Sequence, residues 1–105
     1  MRRLTKKQIE NSLIKQLELQ HKTSQFYTDL INDYMYYWSL KKELIKDIKN
    51  KGIRYKAVNG NGIAVEKANE SVVNLQKTTA TMLKILSDLH LKEPMQESNP
   101  KDGYL

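Results

Sequence analysis

The stretch KDIKNKGIRYKAVNGNGIAVEKANE, residues 46–70, decides how this chain folds. Gly52 follows a helical pattern and reads as its C-terminal stop, because glycine takes the left-handed conformation without penalty. Ile53-Arg54-Tyr55-Lys56-Ala57-Val58 then alternates, and so does Ile63-Ala64-Val65. Asn59-Gly60-Asn61-Gly62 lies between them, and Asn-Gly pairs between alternating segments signal a hairpin. The expected hairpin covers about 53–65. Asn69 is the expected N-cap of a following helix, with Glu70 in its first turn. A phosphate-binding loop is the competing reading of the glycines. It lacks a following Gly-Lys-Ser/Thr and a preceding buried strand.

Outward from this stretch the chain reads as helical. Upstream, a long helix is expected over about 24–51, capped by Thr23 or Ser24. Its stripe is Tyr27, Leu30/Ile31, Tyr34, Tyr37/Trp38, Leu44/Ile45 and Ile48, with Lys41 where the stripe should continue. Phe26, Tyr27, Tyr34, Tyr36, Tyr37 and Trp38 crowd into thirteen residues. So many aromatics exceed one buried face, which points to core plus interface rather than core alone. A first helix is expected over about 6–20, capped by Thr5, with Ile9, Leu13, Ile14 and Leu17 as its stripe. Downstream, Val72, Leu75, Thr79, Met82, Leu86 and Leu89 form a heptad-like seam. Val73, Ala80, Leu83 and Ile85 widen it, and Pro94 forbids continuation, so the third helix is expected over about 69–91. Residues 1–94 read as a single helical domain, and 95–105 as a flexible or docking tail. The fold class is mainly α, three helices with a hairpin between the last two.

Charge narrows the partners. The 105 residues carry a net charge of +6, with a pI near 9.5, which favours an anionic partner, nucleic acid ahead of membrane. Residues 1–22 hold Arg2, Arg3, Lys6, Lys7, Lys15 and Lys22 against two acids; residues 41–67 hold eight basic residues against three. Cysteine is absent, so disulfides and thiolate metal sites are excluded. No apolar run approaches the roughly 20 residues of a membrane span, and no signal-peptide core follows the basic start. The expected location is cytosolic, with no membrane partner.

Several stretches together resemble the P27-like small terminase subunits of tailed bacteriophages. They are Lys46-Asp47-Ile48-Lys49-Asn50-Lys51-Gly52-Ile53, then Asn59-Gly60-Asn61-Gly62, Glu66-Lys67-Ala68-Asn69-Glu70, and Leu89-His90-Leu91-Lys92-Glu93-Pro94. The resemblance covers about two thirds of the chain. Where the family often has Asn-Pro, this chain has Asn69-Glu70. Where the family often has Gly-Leu-x-Pro, His90 stands near the Gly position and one residue is added. The resemblance implies a non-catalytic viral DNA-packaging component in the host bacterial cytoplasm. Such subunits assemble into homo-oligomeric rings, bind double-stranded viral DNA at the packaging start, and deliver it to the large subunit, which holds the ATPase and nuclease. It implies no cofactor.

An enzyme finds little support among the residues. Asp29 and Asp33 share a helix face, but no third ligand or base accompanies them; His21 and His90 are isolated, and no nucleophile elbow appears. For DNA the candidates are two basic groups. Arg2, Arg3, Lys6 and Lys7 rank first; Lys46, Lys49, Lys51, Arg54 and Lys56 rank second, because lysine near a helix end also complements the dipole. No helix-turn-helix is convincing. The expected oligomer interface is Tyr27, Tyr34, Tyr37, Trp38, Leu75, Met82 and Leu86. The alternative function is a small helical oligomeric regulator or scaffold that binds a protein partner through its aromatic helix. The tail 95–105 is the candidate contact with the large subunit.

Overall fold

The computed structural model describes residues 3–92. Arg2, Pro94 and the tail 95–105, each given a role above, lie outside the described residues. The elements run α1 (Lys6–Leu19), α2 (Gln25–Lys51), β1 (Arg54–Val58), β2 (Ala64–Ala68) and α3 (Glu70–Asp88). The fold is mainly helical, and the two-stranded antiparallel hairpin sits between the second and third helices. The described residues group into two compact units: 3–35 with 85–92, and Tyr36–Lys84.

In the first unit, Thr5 starts α1 with a capping box. Its hydroxyl accepts from the Gln8 backbone N–H, while the Gln8 side chain accepts from the Thr5 N–H. Leu13 and Leu17 turn inward from α1, Ile31, Tyr34 and Met35 from α2, and Leu86, Leu89 and Leu91 from the C-terminal segment. Both helix ends here close in the same way. The Lys22 N–H bonds the Leu17 carbonyl and the His21 N–H bonds that of Glu18, with His21 at φ 59°. The Leu91 N–H bonds the Leu86 carbonyl and the His90 N–H bonds that of Ser87, with His90 at φ 57°. These are paired Schellman motifs with histidine in the left-handed position normally given to glycine. They correct the expected end of the third helix. It stops at Asp88, because His90 reverses the backbone before Pro94 is reached.

Three side chains of α1 and its exit fasten the segment after α3 through its backbone. The Gln16 amide donates to the Lys92 carbonyl (3.1 Å) and accepts from the Lys92 N–H (2.8 Å). The Gln20 amide donates to the His90 carbonyl (3.0 Å), and the Lys22 ammonium to that of Leu89 (2.9 Å).

In the second unit, Gly52 ends α2 at φ +80°, its N–H bonding the Ile48 carbonyl at 2.7 Å. The hairpin pairs Arg54 with Ala68 and Val58 with Ala64. It is shifted from the expected 53–65, since β2 runs on to Ala68. Each residue of β1 takes a partner across the ladder, so β2 continues through Glu66, Lys67 and Ala68, past the apolar alternation that ends at Val65. The Asn59 N–H bonds the Ile63 carbonyl and the Gly62 N–H bonds that of Asn59, so three residues form the tip and only Gly62 is left-handed (φ +78°). This is a three-residue turn with a glycine bulge. The Asn59 carboxamide oxygen accepts the Asn61 and Ile63 N–H groups inside it.

Asn69 closes the base. Its backbone N–H bonds the Ile53 carbonyl (2.8 Å), its side-chain NH₂ bonds the Gly52 carbonyl (2.9 Å), and its side-chain oxygen caps the Ser71 N–H (2.9 Å). It is 4% exposed. Asn69→Ala should lower stability by about 2 kcal/mol, the sum of a lost cap and an orphaned carbonyl. Asn69→Asp keeps the cap oxygen but loses the donor to Gly52, so it too should destabilise. Urea denaturation of both variants checks this; a shift in Asn69→Ala alone would reduce the residue to a helix cap. His90→Gly should leave stability unchanged or raise it, whereas His90→Val should lower it by about 1–2 kcal/mol, because a β-branched residue resists positive φ.

Candidate nucleic-acid interface

The two basic groups fall in different units. In the first unit Arg3, Lys6 and Lys7 are exposed. Lys6 opens α1, and the Lys7 ammonium is held by the Glu10 carboxylate at 3.3 Å. Lys15 shares the flank of α1 that forms an open groove of about 440 Å³ with Leu4, Gln8, Ser12 and Leu19.

In the second unit Lys46, Lys49, Lys51, Arg54 and Lys56 are all exposed. Two of them are engaged. The Lys51 ammonium lies 3.5 Å from Asp47 and 5.2 Å from the centre of the Tyr55 ring. The Arg54 guanidinium donates to Glu66 across the hairpin. Lys46, Lys49 and Lys56 form no ion pair among the described residues. Sequence reasoning did not single out Lys42. Its ammonium sits 4.2 Å from the centre of the Trp38 ring, a cation–π contact that the i, i+4 spacing permits.

The expected interface residues divide by burial. Tyr34, Met82 and Leu86 are buried within the chain, while Tyr27, Tyr37, Trp38 and Leu75 are half-buried. Other apolar groups carry the exposed surface. Phe26 is 64% and Tyr36 68% exposed, and each packs edge-on against its neighbour, Tyr27 or Tyr37. Val73 and Leu83 on α3, and Ile53, Val58 and Ile63 around the hairpin, are exposed as well. The stripe expected along α2 is covered at every position but Ile45. Lys41 is half-buried beside Leu44 and Ile48, while Ile45 is exposed, so the covered face of the helix's second half passes through the lysine.

Among the described residues, no group of three or more His, Asp or Glu side chains could hold a metal. No helix among them is long and apolar enough to cross a membrane. Compared with known proteins, the chain matches no family model, no curated protein and no solved structure.

One carboxylate in the second unit is tuned. The Ser71 hydroxyl donates to Asp47 at 2.7 Å, and this bond, foremost, holds its pKa below the ordinary 3.8; the Asn69 side chain and Lys51 act in the same direction. A carboxyl whose folded pKa is depressed stabilises the fold above its unfolded value, and that stability is lost as pH falls through the folded one. The loss should therefore appear below about pH 4. Asp47→Asn should flatten the stability profile there and leave it unchanged in shape near neutrality. Denaturant titrations between pH 2.5 and 7 test this; an identical acid limb in the variant would assign the loss to other carboxylates.

Proposed function

We propose that this chain is a non-catalytic small terminase subunit, a viral DNA-packaging component. It assembles into a homo-oligomeric ring, binds double-stranded viral DNA at the packaging start and passes it to the large subunit, which holds the ATPase and nuclease. The observation that carries the reading is the order of parts: a long helix stopped by Gly52, a hairpin tipped by Asn59–Gly62, and a third helix opened by Asn69. That order agrees with the resemblance in residues 46–94. Two further features support it. Exposed lysines on α2 and the hairpin, with a net charge of +6, suit a polyanion. Exposed apolar side chains, Phe26 and Tyr36 foremost, suit a subunit that meets other protein surfaces. A ring would repeat each basic patch, so contacts weak in one subunit would sum. The host bacterial cytoplasm is where such a protein would act.

The second reading is a helical regulator or scaffold that binds a protein partner through the aromatic part of α2. The exposure of Phe26 and Tyr36 favours it equally. Fluorescence anisotropy with labelled duplex DNA separates the two. The packaging reading expects binding whose affinity falls steeply between 50 and 200 mM salt, by on the order of 10³-fold for six phosphate contacts. Absence of binding at 50 mM salt would sink it and leave the scaffold reading.

A further inference from the structure

Along α2, Ile31, Met35, Trp38, Lys42, Ile45 and Lys49 recur at alternating steps of four and three, which places them on one helix face. Burial changes along that face. Ile31 and Met35 are buried, Trp38 is half-buried, and Lys42, Ile45 and Lys49 are exposed. Lys46, four residues beyond Lys42, flanks it and is exposed. Two of the three positions that would continue an apolar seam, Lys42 and Lys49, are therefore cations where the face opens to solvent.

Helix-end electrostatics account for only part of this. The macrodipole acts on groups within the last turn. Lys49 and Lys51 lie there; Lys42 and Lys46 lie one to two turns earlier. Ion pairing does not account for it either. Of the acids on this part of α2, Asp47 is engaged by Ser71 and Lys51, and Glu43 pairs with no lysine among the described residues. The Trp38 ring fixes the Lys42 ammonium from below, which lessens the entropy lost when that ammonium meets an anion. Lys42 to Lys49 spans about 10 Å of helix axis, close to three phosphate-to-phosphate steps of one strand at about 3.4 Å of duplex axis each.

We propose that the ridge Lys42–Lys46–Lys49, with Lys42 seated on Trp38, is the principal phosphate-contacting surface for duplex DNA, ahead of the N-terminal group. In the N-terminal group, Lys7 already pairs with Glu10. This inference rests on the DNA-binding reading above.

The test compares the full chain with Lys42→Gln/Lys46→Gln/Lys49→Gln and with Arg3→Gln/Lys6→Gln/Lys7→Gln, each checked for folding by circular dichroism. A 30-base-pair duplex is titrated at several salt concentrations. The ridge variant should bind more weakly, with its log–log salt slope shallower by about 2.7, which is three contacts at about 0.9 each. The N-terminal variant should change little. Trp38 is the sole tryptophan of the chain, so its fluorescence reports on the ridge directly and should change when DNA binds to the unmodified protein. Unchanged slope and affinity in the ridge variant, with loss in the N-terminal variant, would overturn the inference and leave the DNA-binding reading standing. No binding by the unmodified chain would overturn both.

Discussion

The side chain of Asn69 is the constraint on which the second unit turns. It is buried, and each of its polar atoms has a different employer: Gly52 at the end of α2, Ser71 at the start of α3, and through its backbone Ile53 at the base of the hairpin. A two-stranded hairpin is marginal by itself in water. Here the ladder is closed at its open end by the same residue that begins the next helix. Ser71 extends the arrangement by donating to Asp47 one turn before Lys51, so the last turn of α2 and the first turn of α3 share a hydrogen-bond network. An aspartate at position 69 could cap the helix but has no donor for the Gly52 carbonyl, and a serine or threonine would have to serve both partners from one oxygen; the carboxamide has a separate atom for each.

The first unit depends on a different device, two helix ends closed by left-handed histidines. Histidine is among the non-glycine residues found in this region, although each instance carries strain. The strain is tolerated because the residues beside it are tied down. Leu86 and Leu91, the two ends of the second Schellman motif, are both buried. Gln16 and Gln20 then grip the backbone beyond it. Side chains that bind backbone read the path of a segment rather than its sequence. Residues 89–92 are therefore held in course by α1 largely irrespective of what their exposed side chains present.

Much of this was legible in the sequence, and the failures have physical causes. Gly52, Asn69 and the Asn-Gly tip punctuate the chain through local backbone chemistry, so the hairpin and the helices flanking it could be read from neighbours alone. The end of α3 could not. Pro94 is an unambiguous stop, but His90 stops the helix earlier by a conformation that histidine adopts only when its surroundings require it. The hairpin boundary slipped because the apolar alternation stops at Val65, whereas the ladder continues through Glu66, Lys67 and Ala68 to pair all of β1. The α2 stripe was legible except at one position. Periodicity gives a face, not what covers it; Ile45 lies on the expected face and is exposed, while Lys41 is half-buried with its aliphatic stem available for packing. Of the candidate site, the basic residues were visible as charges, but which of them are already engaged depends on Glu10, Asp47 and Glu66 being placed within reach.

On the proposed reading, function arises from surfaces that one copy of the chain leaves unused: the aromatic and aliphatic groups at Phe26, Tyr36, Val73 and Leu83, and the lysines along α2. A closed ring is the assembly that would cover the former while repeating the latter, since a head-to-tail interface closes when its rotation allows. The solution mass of the purified protein, by light scattering behind size exclusion and by native mass spectrometry, tests this most directly. One discrete species containing many subunits is expected. A monomer or a dimer at micromolar concentration would contradict it.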